Sequence, residues 1–503
     1  MSTSADLKPL PVADDNPELV KALGLTSATT LVMGSMIGSG IFIVSAEIAR
    51  QGNSPGLLLG AWLVTGFMTI VGALCYGELA AMMPKAGGQY VYLREALGPL
   101  WGFLYGWTLF LVIQTGTIAA VGVAFGKFLG HFFPSVSADR WIWHIGHVNP
   151  FHPFGIQSIT LGNMDVGLNT QNLAGIVIVV LLTIVNIFGI KTGAAVQNIF
   201  TVAKVSALFL LVVAGIFVGR NAAAIAANFT DFWRLHAPHS ATGTLAGPFV
   251  GVLTILAVGQ VGSLFSADAW NNVTFTAGEV KNPKRNLPLS LAIGTGIVIA
   301  LYVLANVIYL TVLPLSQIQN APAERVGTAV MQQMFGGTGA SLMAIAILIS
   351  TFGCCNGLIL AGARVYYAMA KDRLFFKSVG SVHPKYKSPA VSLVVQGIWT
   401  CLLCLSGTYG QLLDYIIFAV LVFYILTIAG LFVLRYKRPD AERPYRTVGY
   451  PVLPAVYIVM ALFIDVVLLR YKPQFTWPGL FIVLLGIPVY LIWSLRKPAA
   501  ERA

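Results

Sequence analysis

Three short stretches carry residues able to bind a small charged molecule. The first is Met33-Gly34-Ser35-Met36-Ile37-Gly38-Ser39-Gly40-Ile41-Phe42, in the middle of an apolar run. Glycine weakens a helix interior by about 1 kcal/mol relative to alanine. Three glycines within this stretch therefore invite the backbone to unwind and offer bare N–H and C=O groups. Close helix packing through small residues is the competing explanation. The second stretch, Phe265-Ser266-Ala267-Asp268-Ala269-Trp270-Asn271, places a carboxylate inside another apolar run. Asp268 could meet a ligand or cap the N–H groups of a broken helix. The third is Lys204, a lone charge in the middle of a third apolar run. A lysine there costs roughly 2.5–3.5 kcal/mol to insert, so it marks a function, unless it snorkels or plugs a polar cavity.

The elements that position these residues are membrane-spanning helices. Of the 503 residues, 57% are hydrophobic and 10% charged, with a mean hydropathy of +0.78, which places the chain among polytopic membrane proteins. Apolar windows predict about twelve spans, at 26–49, 55–83, 99–130, 171–190, 195–219, 246–277, 287–313, 338–370, 389–407, 411–434, 451–470 and 476–494. Most of the 31 Lys and Arg residues fall on one side of this arrangement, in clusters such as Lys281/Lys284/Arg285 and Arg435/Lys437/Arg438/Arg443/Arg446. The positive-inside rule makes that side cytoplasmic, with both termini on it. The same rule accounts for the net charge of +12 without nucleic acid. The polar start, with Asp6, Asp14, Asp15 and Glu18, does not read as a cleaved signal peptide. All five cysteines lie in apolar segments, which speaks against a disulfide framework or a metal cluster.

Spans one to five and six to ten read as two halves related by inversion, each opening on a broken helix. Paired discontinuities of this kind point to the binding site of a transporter. The fold expected is an all-α polytopic membrane protein. Its 5+5 inverted repeat has broken helices 1 and 6, followed by two C-terminal helices. In residue terms, a cytoplasmic tail covers 1–25 and a transport core covers 26–434, in halves 26–219 and 246–434. Two further helices lie within 451–494 and a cytoplasmic tail covers 495–503. The loop from His131 to Thr170 is lysine-free and carries His131, His144, His147 and His152. The i, i+3 pair His144/His147 could contribute to a metal site. Lacking neighbouring cysteines or clustered carboxylates, the loop reads instead as an aromatic cap on the membrane interface. The polar stretch from Ala321 to Gly337 reads as a short external helix.

Three sequence blocks taken together resemble the amino acid–polyamine–organocation superfamily, and within it the L-type amino acid transporter branch. They are Gly34 to Phe42; Gly77-Glu78-Leu79 with Pro84-Lys85-Ala86-Gly87-Gly88-Gln89-Tyr90; and Glu279-Val280-Lys281-Asn282-Pro283 with Arg285-Asn286-Leu287-Pro288. The resemblance runs from about Leu25 to Tyr436. It implies that a substrate carboxylate meets the backbone N–H groups of Gly38, Ser39 and Gly40. The substrate amine would meet carbonyls near Met36 and Phe265, with Asp268 close by and Phe265 closing over it from outside. It also implies that Lys204 fills the place where sodium-coupled relatives hold sodium. There the lysine would touch carbonyls near Gly38 and hydroxyls of the eighth span, Ser350 and Thr351. Two departures stand out. Asp268 and Ala269 occupy positions where the family often has glycine, which bears on how bulky or how cationic a substrate fits. The loop 131–170 also lacks the cysteine through which animal members bond a single-span partner, so no disulfide-linked partner is expected.

The function these readings imply is a secondary amino acid transporter of the cell membrane, specifically a sodium-independent exchanger of neutral L-amino acids. A proton-coupled amino acid symporter is the alternative, since a buried lysine changes protonation readily. A cationic amino acid or polyamine exchanger is a third reading. Apart from a small-molecule amino acid and the lipid bilayer, no cofactor, metal or nucleic acid is implied. A channel would need a continuous pore lined by carbonyls or charges. An enzyme would need a His, Glu or Cys constellation within the spans, and none of the seven histidines lies in one.

Overall fold

The computed structural model describes residues 19–149, 164–233, 248–405 and 409–495. His152, most of the amino-terminal tail and nearly all of the carboxy-terminal tail lie outside the described residues. The helices are α1 (Leu25–Met36), α2 (Gly40–Gly52), α3 (Pro55–Met82), α4 (Gln89–Leu97) and α5 (Pro99–Thr108), which runs on through a π-helical turn, Leu109–Ile113, into α6 (Gln114–Leu129). After the hairpin β1 (Trp141–Val148) and β2 (Met164–Asn169) come α7 (Thr170–Ile187), α8 (Ile190–Phe217), α9 (Ala222–Phe229), α10 (Pro248–Ser266) and the single turn α11 (Asn272–Phe275). The remainder are α12 (Pro283–Val312), α13 (Leu315–Gln319), α14 (Val326–Lys371), α15 (Ala390–Cys404), α16 (Tyr409–Lys437), α17 (Val452–Tyr471) and α18 (Pro473–Leu495).

Among the described residues, ten helices are long and apolar enough to cross a membrane. Two shorter apolar helices, Gly251–Ser266 and Ala390–Cys404, fall in the sixth and ninth expected windows. The polytopic all-α expectation therefore holds, and each window contains an apolar helix. One feature was not anticipated. The loop after α6 folds into an antiparallel β-ribbon, in which both His147 (3.1 Å) and His144 (3.4 Å) reach Asp165 Oδ1. The hydrogen bond from His147, and secondarily that from His144, holds the Asp165 carboxyl below its ordinary range. Among the described residues no group of three potential ligands is placed to hold a metal. The stretch 321–337, read as a short helix before the eighth span, forms a 3-10 turn, Pro322–Glu324, and then the first part of α14, set off from the rest by a kink at Gly336 (φ 63°, ψ −153°).

The distribution of side chains is that of a protein solvated by lipid. Large apolar residues such as Val177, Ile199, Leu210 and Val459 face outward, each more than half exposed. The polar side chains of the spans are turned inward and bonded to one another, as a medium without water requires. Thr65 donates to Gln260 Oε1 or Ser263 Oγ at 2.7 Å, and Asn356 links Gly193 O to Gln197 Oε1 at 3.0 Å each. The broken first span is at the centre, with α1 against α8, α12 and α14 and α2 against α10 and α14.

One buried ion pair with no signature in the sequence ties the ends of three elements together. Arg364 of α14, which the charge count assigned to the basic side, is fully buried within its helix. It donates through Nε (2.8 Å) and Nη2 (3.2 Å) to the equally buried Glu279, and through Nη1 to Leu360 O (2.7 Å). The carbonyl of Glu279 in turn accepts from Ala22 and Leu23 N–H, at 2.9 Å each. The pair thus joins the carboxy-terminal end of the sixth span to α14 and to the segment leading into α1. Removing one member leaves a buried charge uncompensated, which costs about 3–5 kcal/mol. Arg364→Ala is accordingly expected to lower the melting temperature sharply, as read by scanning fluorimetry in detergent. Arg364→Lys, which keeps the charge but loses the fork, should fall between the variant and the parent. A melting temperature unchanged by Arg364→Ala would rule out this role.

Candidate functional site

The first span breaks where its glycines predict. Ile37 (φ −77°, ψ 94°) leaves the helix and Ser39 precedes the restart at Gly40. Glycine serves here for close approach as much as for unwinding. A side chain on Gly34 would collide with Gln197 and Thr201 of α8. One on Gly40 would strike Ser266 of α10, whose Cα would lie 3.0 Å from the new atom. The unwinding and small-residue packing explanations thus both apply.

An unwound turn leaves carbonyls that must find donors. Lys204 of α8, fully buried, supplies them. Its Nζ donates to Gly34 O (2.5 Å), Ile37 O (2.7 Å) and Ser350 O (3.3 Å). Ser350 Oγ lies within donating distance of Ile37 O (3.1 Å) and Gly38 O (3.0 Å). Two details of the expectation are corrected. Lys204 meets the carbonyl of Ser350, because that residue's hydroxyl is turned onto the break. Thr351 takes no part, its hydroxyl donating back to Ile347 O (2.9 Å) along its own helix. The break is therefore tied to α8 by an ammonium and to α14 by a hydroxyl.

The second break, Ala267 to Asn271 between α10 and α11, faces the first. Asp268 N–H still bonds Phe265 O (3.2 Å), and Ala269 turns left-handed (φ 64°). The Asp268 carboxylate accepts from Tyr424 O–H (2.5 Å), which ties the second break to α16. Phe265 is buried against the same core. Tyr302 joins the two breaks: its hydroxyl stands 3.1 Å from both Met36 O and Ser266 O, the last residues of α1 and α10. Trp62 packs edge-on against its ring, with centroids 5.4 Å apart. Asn271 Nδ2 donates to Gln89 Oε1 (2.9 Å), whose amide reaches Thr427 Oγ1 (3.0 Å).

The ends of the half-helices create a polar field suited to a zwitterion. The carboxy-terminal ends of α1 and α10 present carbonyls and negative dipole ends, while the start of α2 presents backbone N–H groups and a positive one. The two breaks meet at Tyr302, which reaches Met36 O and Ser266 O, and where Gly40 packs on Ser266. Next to Asp268 is a cavity of about 20 Å³, lined by Gln114, Thr117, Asn271 and Tyr424 among others, and so with room for about one water molecule. The π-helical turn Leu109–Ile113 forms part of its wall. Sequence reasoning missed this turn, Tyr302 and Tyr424. Tyrosines in apolar runs read as ordinary core, and a π turn has no spacing signature.

Residues 23–493 match the family described as amino acid permease. The chain belongs to this family. Among its relatives, the human large neutral amino acids transporter small subunit 2 is 31% identical over 94% of this chain and 80% of its own length. The Bacillus subtilis serine/threonine exchanger SteT is 28% identical over 95% of this chain and 98% of its own. The mouse b(0,+)-type amino acid transporter 1 is 28% identical over 95% and 89% respectively. Within this permease, Ala269 holds a conformation that costs an alanine about 1–2 kcal/mol and glycine almost nothing. Ala269→Gly is therefore expected to raise the melting temperature by a few degrees, since a kilocalorie moves it by about 2–4 °C in a domain of 150–250 residues and by less in a longer chain. A lower melting temperature in the variant would mean that the methyl group contributes more by packing than it costs in strain.

Proposed function

We propose that this permease is a sodium-independent exchanger of neutral L-amino acids that works by alternating access between the two broken helices. The observation that carries the proposal is the Lys204 ammonium on the carbonyls of the first break. A fixed positive charge there leaves no place for a sodium ion, and its three N–H donors meet three carbonyls. A neutral amine has one donor fewer, which favours exchange over a cycle in which Lys204 gives up its proton. The substrate carboxylate is assigned to the N–H groups of Gly38, Ser39 and Gly40. Its amine is assigned to the carbonyls near Met36 and Phe265, and Phe265 serves as the outer closure. Asp268 completes the site, and because the Tyr424 hydroxyl already engages its carboxylate, neutral substrates are favoured over cationic ones. The names of the relatives, among them a transporter of large neutral amino acids and a serine/threonine exchanger, support the same reading.

A cavity of about 20 Å³ beside Asp268 is too small for an amino acid, so uptake requires the halves 26–219 and 246–434 to move against one another. In this scheme 451–494 form an accessory pair of helices. The concentration of Lys and Arg on one side supports a plasma-membrane orientation with the tails 1–25 and 495–503 in the cytoplasm. The hairpin loop contains no cysteine, and the five thiols lie in apolar segments, which supports a transporter without a disulfide-linked subunit.

Proteoliposomes loaded with an amino acid test this directly. Uptake is expected to require internal substrate, to be unchanged when choline replaces sodium, and to show no accumulation driven by a pH gradient. Lys204→Ala should slow exchange by tenfold or more if its contacts differ between the two access states by about 1.4 kcal/mol. Substrate affinity in the variant should remain near that of the parent. A sodium requirement, or a loss of folded protein that fully explains slow exchange, would overturn the assignment of Lys204.

A further inference from the structure

A second cavity, of about 640 Å³, lies on the hairpin side of the molecule between α6, α7 and α14 and shares no lining residue with the one beside Asp268. Its interior is apolar, walled by Phe125, Leu129, Leu173, Val177, Leu181 and Phe352. One rim is polar, formed by Ser135, Arg140 and Thr170. From Thr170 to Leu181 the wall follows α7 for eleven residues, or roughly 16 Å at 1.5 Å per residue. That is about the depth of one leaflet of a bilayer whose hydrocarbon core is about 30 Å thick. Leu173 (39% exposed), Val177 (58%) and Leu181 (48%) leave the slot open to the bilayer along its side.

Arg140 decides what fits this shape. It is exposed, lines the rim and makes no ion pair among the described residues. The neighbouring acid, Asp139, is instead turned to Ser137, which lies 3.3 Å from its Oδ2. Thr170 Oγ1 is committed to Ser135 O (2.8 Å) and Ser137 O (3.1 Å), fixing the loop that carries Arg140 to the start of α7. Directly after Arg140, β1 presents Trp141, Ile142 and Trp143, all exposed. Tryptophan is enriched at the level of lipid headgroups.

We propose that this cavity is a binding site for an anionic phospholipid, with one acyl chain in the slot and the phosphate on Arg140. Guanidinium matches phosphate through paired N–H donors, and a leaflet-deep groove open on its side admits a chain without extracting the lipid from the membrane. The site is separate from the proposed substrate site and does not depend on the substrate assignment.

Native mass spectrometry of the detergent-purified protein tests this, using phosphatidylglycerol and phosphatidylcholine with the same acyl chains. The wild type should retain phosphatidylglycerol about fivefold more, the effect of one basic residue near a membrane surface. Arg140→Gln should abolish that preference while still binding both lipids. Ala174→Phe, which narrows the slot, should reduce retention of both. Arg470→Gln, at a distant helix end, should leave the preference intact. Each protein is to be checked for an unchanged elution volume and melting temperature, so that misfolding is recognised. Equal retention of the two lipids by the wild type, a preference that survives Arg140→Gln, or full retention by a folded Ala174→Phe variant would each overturn the proposal.

Discussion

Inside a membrane, no backbone N–H or C=O can be left to water, and this constraint governs the site. Breaking two helices at mid-span creates carbonyls at the ends of α1 and α10 that need donors. The structure supplies them from three neighbouring helices: Lys204 from α8, Ser350 from α14 and Tyr302 from α12. Once these carbonyls are held, the N–H groups at the start of α2 remain as the polarised donors on the opposite side of the break. In the proposed function, these N–H groups receive the carboxylate of a zwitterionic substrate.

The capping residues also determine how far the breaks are free to move. Ser266 sits where any side chain on Gly40 would strike it, so α2 and α10 touch through backbone and a hydroxymethyl group. Tyr302 holds the two half-helix ends to a single hydroxyl. Arg364 and Glu279 fasten the carboxy-terminal end of the sixth span to α14, and the strand-like contact of Leu23 with Val280 closes the same end against the chain leading into α1. These are discrete contacts, made or lost as units, and a transporter that switches between two access states requires contacts of that kind.

Much of this arrangement was legible in the sequence. Hydropathy placed each window on an apolar helix, ten of them among the described residues long enough to cross a membrane, because an apolar run of that length has few other uses. The glycines at 34, 38 and 40 and the polar residues around Asp268 located the two breaks, because both patterns are costly in a lipid-facing helix. Lys204 stood out as a mid-span charge. What stayed hidden depends on neighbours remote in sequence. Arg364 fell near the end of its window and was counted with the basic clusters until Glu279 was found against it. Tyr302 and Tyr424 resemble the other buried tyrosines until their hydroxyls are traced to partners. Thr351 looked equivalent to Ser350, yet one step along a helix turns a side chain by about 100°, and its hydroxyl bonds its own backbone. The ribbon after α6 depends on pairing across a loop, which hydropathy does not register.

The central claim is that the backbone of the first break, capped by Lys204 and Ser350, receives the substrate carboxylate. A structure of the permease with a bound neutral amino acid tests it most directly. The account predicts the carboxylate oxygens within about 2.7–3.2 Å of the N–H groups of Gly38, Ser39 and Gly40. It also predicts the amine on the carbonyl side of the two breaks, with Lys204 still on Gly34 O and Ile37 O in at least one access state. A carboxylate found on Lys204, or a substrate seated outside the space between the two breaks, would contradict it.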